Sequence, residues 1–115
     1  MRFKNRIVVG LTQQLTIIGE GKKKKVIAKI DTGATKGSID TKLAAALQLG
    51  PVTRTKLIKS AHGNRLRPII EAKVKFNGKT IKEEFTLADR SHMKYKVLIG
   101  QNILKHGFLI DPTKK

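Results

Sequence analysis

The amino-acid sequence predicts an all-β class of fold, mainly β with one or two short helices, closed into a barrel or layered as a sandwich. Short apolar runs recur along the chain between turn-forming residues. Residues 71–76 alternate apolar and polar side chains with the period of two that a half-buried strand requires. Asn77-Gly78 follows, and this dipeptide favours a tight β-hairpin because both positions need a positive φ.

The first half of the chain is predicted to contain three strands, at residues 6–9, 14–18 and 26–30. Residues 19–25, which contain two glycines and four lysines, are predicted to form the turn before the third strand. Asp40 has the side chain of a helix N-cap, and residues 43–47 favour a helix. Gly50 and Pro51 then prevent the helix from continuing.

The second half is predicted to be rich in β structure, with strands at residues 53–60, 66–70, 71–76, 80–87, 97–99 and 108–110. Residues 102–105 are predicted to form one or two helical turns. No linker, low-complexity tract or repeat interrupts the sequence, and its length is typical of one domain. We therefore expect a single domain over residues 1–115.

Composition narrows the classes of function. The chain has no cysteine, which excludes disulfides, thiolate metal sites and a cysteine nucleophile, and fits a reducing cytoplasm. No apolar run approaches the roughly 18 residues of a membrane helix. The apolar run at residues 7–9 is too short for the core of a signal peptide. We expect a cytoplasmic protein that does not associate with a membrane.

The net charge of +17 is large for 115 residues. Self-repulsion on this scale weakens the compact state, so it suggests an anionic partner: nucleic acid, an anionic surface or an acidic polypeptide. A lysine-rich surface also occurs in proteins from hot or salt-adapted cells, and the lysines here are spread along the chain. Charge alone leaves these alternatives open.

Asp31-Thr32-Gly33-Ala34 follows an apolar strand directly. Aspartate and glycine are also ordinary turn residues, so the tripeptide alone is a weak signal. Its setting is more informative, because the strand would place the carboxylate at the edge of a buried region. Gly33 would allow other backbone or substrate to approach closely, and Thr32 offers a hydroxyl for a fixed hydrogen bond.

Lys-Ile-Asp-Thr-Gly-Ala at residues 29–34 resembles the catalytic turn of retroviral-type pepsins. Val-Leu-Ile-Gly-Gln-Asn-Ile-Leu at residues 97–104 resembles the strand, glycine and short helix that close the same fold. More closely, residues 31–112 resemble the RimK-associated retropepsin-like endopeptidases, a family formerly labelled an ATP-dependent zinc protease. Further parallels lie at residues 64–70, 86–93 and 108–112. The resemblance implies a retropepsin-like acid-protease β-barrel with one lobe per chain.

The resemblance also implies a mechanism with Asp31 as the catalytic residue. Pepsin-type hydrolysis needs two carboxylates that share a proton around a water molecule. The sequence contains one Asp-Thr-Gly, and a two-lobed monomer would need roughly twice this length, so the second aspartate is expected from a second copy in a homodimer. Thr32, Gly33 and Ala34 would brace the two turns and present backbone to the substrate.

The hairpin tip Ala61-His62-Gly63-Asn64 occupies the place of a retropepsin flap, although an ordinary exposed turn explains it equally well. The spacing of the histidines matches no local zinc motif, and no phosphate-binding glycine loop is present, so we expect neither metal nor cofactor. The remaining acids are better explained as structural residues: Asp40 as a cap, Glu83 and Glu84 on opposite strand faces, Asp89 in a turn, and Asp111 near the terminus.

The charge and the resemblance together suggest a substrate. A basic dimer would attract acidic chains to its cleft, and the association of the family with glutamate ligases suggests Glu-rich tails. The competing hypothesis is a non-catalytic protein of the same fold whose surface binds RNA or ribosomes through phosphates. No nucleic-acid module supports it, and aromatic residues for base stacking are few. Lys36 would lower the pKa values of the catalytic pair if it points inward, which sequence cannot decide.

Overall fold

A computed structural model describes residues 5–61 and 63–114. This part of the chain forms nine strands and two short helices, which confirms the mainly β class predicted from the sequence. The strands are β1 (Ile7–Val9), β2 (Thr12–Ile18), β3 (Lys23–Ile30), β4 (Gly37–Asp40), β5 (Val52–Ser60), β6 (Gly63–Phe76), β7 (Lys79–Ala88), β8 (Val97–Ile99) and β9 (Phe108–Ile110). The helices are α1 (Thr41–Ala46) and α2 (Gln101–Leu104).

Six strands close into a barrel, in the order β2, β3, β8, β4, β7 and β6, with β6 pairing again with β2. β5 lies outside this ring and pairs with β6, so the β5–β6 hairpin extends beyond the barrel wall. β1 and β9 form a separate parallel pair. Because the ring is closed, each of its strands pairs with a neighbour on both sides, and the hairpin is left free to cover one side of the barrel.

The core is built from side chains that alternate along the barrel strands. In β6, Ala72, Val74 and Phe76 are buried while the residues between them are exposed, as the period-two pattern predicts. The predicted turn is also present, because Asn77 and Gly78 both have positive φ values, 52° and 78°.

Two predictions about the ends of strands were wrong. The predicted turn at residues 19–25 is too long, because β3 already begins at Lys23 and residues 23–25 pair with the end of β2. Residues 66–70 and 71–76 are one strand that begins at Gly63, so Gly63 and Asn64 pair with Ser60 and Lys59 rather than forming a free turn. Consecutive lysines in the first place, and Gly63 and Asn64 in the second, do not favour a strand by themselves. Pairing with a neighbouring strand is what holds both segments in the sheet.

The strand β4 was not predicted at all. Its four residues are buried between β7 and β8, to which they are joined by pairings distant in sequence. The last of them, Asp40, is the N-cap of α1, as predicted: its Oδ2 accepts a hydrogen bond of 3.2 Å from the Leu43 N–H. Within the described ranges, neither helix is long and apolar enough to cross a bilayer.

Candidate active site

Asp31 stands at the end of the central strand β3. β3 runs parallel to β8, with Ile30 opposite Ile99, and both side chains are buried. The Asp31 N–H donates a hydrogen bond of 2.9 Å to the Ile99 carbonyl, so the backbone of Asp31 is held by the neighbouring core strand. The carboxylate therefore emerges from a fixed position at the edge of the core, as the sequence predicts.

The turn after β3 is held by its own hydrogen bonds. The Gly33 N–H donates to Asp31 Oδ1 at 2.9 Å, and the Ala34 N–H donates to the Asp31 carbonyl at 3.3 Å. A Cβ at Gly33 would lie 3.2 Å from Asp31 Oδ1, so glycine gives the carboxylate its room. Asp31 is half-buried, whereas Thr32 and Gly33 are exposed.

Helix α2 packs against this turn through Gln101 and Asn102. Gln101 Nε2 donates to the Thr32 carbonyl at 2.7 Å, and the Gln101 N–H donates to the Ala34 carbonyl at 2.8 Å. Asn102 Oδ1 accepts from the Gly37 N–H at 3.2 Å. The backbone on both sides of the turn is thereby fixed. The sequence marked this segment by its apolar strand and glycine, but it gave no role to the two amides.

The approach of α2 to the turn depends on Gly100. A Cβ at Gly100 would lie 2.5 Å from both the carbonyl carbon and the oxygen of Lys36, and 2.9 Å from the Ala34 oxygen. These are backbone atoms, which cannot move aside as the end of a flexible side chain would. Gly100 is therefore required for the two segments to meet.

A cleft of about 440 Å³ lies between the segment after Asp31 and the β5–β6 hairpin. It is bordered by five basic side chains and by no acidic side chain of the described residues. Its cations come from four separate elements of the chain: Lys36, Lys56, Lys59, Arg67 and Arg90. Within the described ranges only Lys36 of these five forms an ion pair. The cleft therefore has a positive field.

Lys36 contacts Glu84, with 3.0 Å between Nζ and Oε1. Arg54 binds the same carboxylate at 2.8 Å, and the hydrogen bonds from Arg54 and then Lys36 lower the pKa of Glu84 below its ordinary value. The ammonium group of Lys36 is thus directed at Glu84, which answers the question of orientation that the sequence left open.

Arg90, which also borders the cleft, is held in place by hydrogen bonds. Its N–H donates to Asp40 Oδ1 at 2.8 Å, and its Nε donates to the Tyr95 carbonyl at 3.0 Å. Burial lowers the pKa of the Arg90 guanidinium, while the charges of Asp40 and then Asp31 oppose that shift. Lys96 Nζ fixes the loop at residues 90–93 by donating hydrogen bonds to three of its carbonyls, those of Arg90, Ser91 and Met93.

The predicted flap lies at the tip of the β5–β6 hairpin. Ala61, Gly63 and Asn64 are exposed there, and Gly63 has a positive φ of 109°. His62 lies outside the described residues. Since the two strands of this hairpin border the cleft through Lys56 and Arg67, the tip belongs to the element that would cover a substrate, and the flap role stays a prediction.

The contacts described for the other histidines and acids do not involve Asp31. His106 Nε2 is 2.8 Å from Glu83 Oε1, and His92 is exposed. Hydrogen bonds from Ser91 lower the pKa of Asp89, and hydrogen bonds from Thr113 lower the pKa of Asp111. No group of three or more histidine and acidic side chains that would hold a metal ion occurs in the part of the chain that the structure describes.

The barrel, the hairpin and the Asp-Thr-Gly turn define the fold of a retropepsin-type acid protease monomer. The chain belongs to the RimB-like family, described as "Retropepsin-like aspartic endopeptidase RimB", whose sequence profile matches residues 38–115. The retropepsin-like barrel and the aspartic endopeptidase class predicted from the resemblance are therefore confirmed. The matched stretch begins after Asp31, so the family match by itself says nothing about that residue.

Solved structures give the same fold. A protein of unknown function from Legionella pneumophila superposes with a TM-score of 0.69 at 18% identity, covering 95% of both chains. EIAV protease, solved with the inhibitor HBY-793, gives 0.66 at 22% identity and covers 83% of this chain and 85% of its own. Simian foamy virus protease gives 0.57 at 24% identity and covers 81% and 92%. The search of curated proteins gave no match.

Proposed function

We propose that the protein hydrolyses peptide bonds as a homodimer, with Asp31 of each subunit as one half of a catalytic dyad, and that its substrates are acidic, Glu-rich polypeptides. The observation that carries this proposal is the half-buried Asp31, fixed at the end of β3 directly before the segment that borders a cleft lined by cations. Family membership supplies the reaction class. The residue, the assembly and the substrate are our inference.

The chemistry requires two carboxylates close together. One ionised Asp31 takes a proton from the shared water as that water attacks the scissile carbonyl, while the other, protonated, donates its proton to the carbonyl oxygen. The tetrahedral intermediate then breaks the C–N bond as a proton passes to the leaving amine. Two carboxylates about 3 Å apart do not both ionise easily, so the pair titrates as a unit.

The surface around the turn supports a second subunit. The sequence has one Asp-Thr-Gly, and Thr32 and Gly33 are exposed in the single chain. Leu11, whose carbonyl accepts a hydrogen bond of 3.0 Å from the Ile30 N–H, is a large apolar side chain with 58% of its surface exposed beside the turn. A two-fold contact here would cover these residues and bring the two carboxylates together.

The charges of the cleft support an acidic substrate. Four of the five cations that border it, Lys56, Lys59, Arg67 and Arg90, form no ion pair with a carboxylate of the described residues. Positive charge in a concave site raises the local concentration of anionic chains, and salt weakens the effect. A glutamate-rich segment would supply the missing negative charges.

The test compares the wild-type protein with Asp31→Asn on two peptides of equal length, one ending in oligoglutamate and the other in oligoglutamine. We expect the wild type to cleave the glutamate peptide faster, with an advantage that shrinks as salt is added. Asp31→Asn should reduce turnover by about 10³-fold or more while the circular dichroism spectrum is kept. Sedimentation should give a dimer for both proteins.

Each part of the proposal has its own contrary result. Unchanged turnover in Asp31→Asn would remove that residue from catalysis. Equal cleavage of both peptides would remove the electrostatic preference. Full activity of a strictly monomeric protein, measured by sedimentation at the assay concentration, would remove the shared dyad.

A further inference from the structure

The outer face of four neighbouring barrel strands, β3, β2, β6 and β7, carries an array of lysines that we call the lysine wall. On β6 and β7 its members alternate with inward-facing residues of the barrel, and on β3 they continue the outward-facing register set by the buried Ala28 and Ile30, so they point away from the barrel interior. All of them are exposed. They are Lys23 and Lys25 on β3, Lys73 and Lys75 on β6, and Lys82 on β7.

The strand register arranges the wall in two rows. Lys73 and Lys82 stand directly opposite each other, and like charges in that position destabilise a sheet. Neighbouring strands are about 4.8 Å apart and alternate residues about 6.7 Å, so the array covers about 14 by 7 Å. Read across β3, β2, β6 and β7, the rows are Lys25-Thr16-Lys75 and Lys23-Ile18-Lys73-Lys82.

Acidic side chains do not neutralise this array. The ion pairs of the described residues involve Lys36, Arg54 and His106, and none involves a lysine of the wall. At one end of the wall, Glu20 and Glu71 border the same groove as Lys73 and Lys82. Glu84 lies opposite Glu71, and its carboxylate is bound by Lys36 and Arg54. Each of the five unpaired charges has a neighbour in the wall within about a Debye length, so neighbouring lysines repel, and an anionic partner would relieve that repulsion.

The wall is separate from the proposed active site. A groove of about 720 Å³ lies along part of it, bordered by residues 23–25 and Lys75 together with Gln13, Gln14 and Asn77. None of these residues borders the cleft beside Asp31. The cations of the wall therefore have no part in holding a peptide at the cleft.

We propose that the lysine wall is a docking surface for the sugar–phosphate backbone of a nucleic-acid duplex. The array is two rows deep and about 14 Å wide, comparable with the width of about 12 Å of the major groove of B-form DNA, so it would contact phosphates on both sides of that groove. An extended acidic polypeptide presents a single line of charges and would use only one row. The wall carries no aromatic side chain for base stacking, which favours a duplex over a single strand.

The test measures the affinity for a 20-base-pair DNA duplex by fluorescence anisotropy between 0.05 and 0.5 M salt. The double variant Lys73→Gln/Lys75→Gln is compared with Lys42→Gln/Lys105→Gln, which removes the same charge from exposed positions outside the wall. Each phosphate contact contributes about 0.9 to the slope of log K against log [salt], so the wall variant should lower the slope by about 2. Its affinity at 0.1 M salt should fall about tenfold or more, and the control variant should match the wild type.

Asp31→Asn should bind the duplex like the wild type, which separates this inference from the proposed function. Equal affinities of the wall and control variants would overturn the proposal. Equal competition by single-stranded DNA would reject the duplex, and equal competition by oligoglutamate of the same charge would assign the wall to acidic polypeptides. An RNA duplex that binds more tightly than the DNA duplex would support the docking surface but overturn the match to the major groove of B-form DNA.

Discussion

The cleft beside Asp31 and the lysine wall are both strongly basic, but they are built differently. In the cleft, backbone and amide hydrogen bonds fix the reacting group: Gly33 and Gln101 hold the turn, and Gly100 admits the helix behind it. In the wall, the strand register alone sets the spacing of the lysines, whose side chains form no hydrogen bond or ion pair within the described ranges.

This difference separates two uses of positive charge. Catalysis at the cleft depends on the position of Asp31 to within a fraction of an ångström, so a single methyl group added behind the turn should strongly reduce peptidase activity. The wall depends on the number of charges and on the salt concentration, so each lysine should contribute a similar and modest share. Substitutions in one region should therefore leave the activity of the other unchanged.

The largest effect is expected for Gly100→Ala. The added methyl group would lie 2.5 Å from the Lys36 backbone, so the segment after Asp31 has to shift. We expect turnover to fall at least about 100-fold and the free energy of unfolding to fall by about 2 kcal/mol. Peptidase assays and urea titrations measure the two quantities, and duplex affinity should stay within twofold.

Gly21→Ala is the matched control for that substitution. Gly21 has a positive φ of 70°, but no atom of the described residues lies within 4 Å of its added Cβ. This variant should lose about 1 kcal/mol of stability through backbone strain and keep its turnover. If both alanine variants lost the same share of activity, general destabilisation would explain the result and the close contact at Gly100 would not matter.

Gln101→Leu tests the hydrogen bond that fixes the Thr32 carbonyl at 2.7 Å. Loss of one such bond is worth about 0.5–1.5 kcal/mol, and the freed turn would place Asp31 less accurately. We expect kcat to fall about tenfold with little change in KM, because Gln101 positions the turn and does not border the cleft. Gln14→Leu, on the outer face of β2, is the control, and a raised KM in Gln101→Leu would instead indicate contact with substrate.

The local pattern of the sequence was sufficient for most of the barrel. Alternation at residues 71–76, the Asn77-Gly78 turn and the Asp40 cap were all predicted and are present. β4 was missed because its four residues have no period of their own and pair only with strands more than 40 positions away. The start of β3 was missed because three consecutive lysines favour a turn, whereas pairing with β2 holds them in a strand.

The two basic regions illustrate the same limit. The lysines are dispersed along the sequence, so their positions alone did not predict a binding surface. The register of β2, β3, β6 and β7 brings five of them together on one face. Asp31 was predicted from a contiguous motif. Arg67 and Arg90 were not, because they reach the cleft from separate elements and no local signal connects them to Asp31.

A smaller effect is expected for the cross-strand pair Lys56→Gln/Arg67→Gln, which removes two charges from the cleft. Each charge near a solvated site contributes about 0.5 kcal/mol, so KM for the oligoglutamate peptide should rise about fivefold at 0.1 M salt. The neutral peptide should change less than twofold. Lys73→Gln/Lys75→Gln removes the same charge from the wall and should leave both KM values unchanged, and a rise in that variant would show that net charge alone attracts the substrate.

The smallest effect is expected for Glu84→Gln, which removes the ion pairs of Lys36 and Arg54. Lys36 would then be unpaired, like the other cations of the cleft and the lysines of the wall. KM for the oligoglutamate peptide should fall about twofold.

The folded pKa of Glu84 lies below its ordinary value of 4.5, so the ion pairs stabilise the fold above that pH, and their contribution is lost as pH falls through the lowered folded pKa. The variant should therefore melt roughly 1–5 °C below the wild type at neutral pH, and the two should converge in acid. Melting curves that differ equally at both pH values would show that Glu84 stabilises the fold through packing and not through its ion pairs with Lys36 and Arg54.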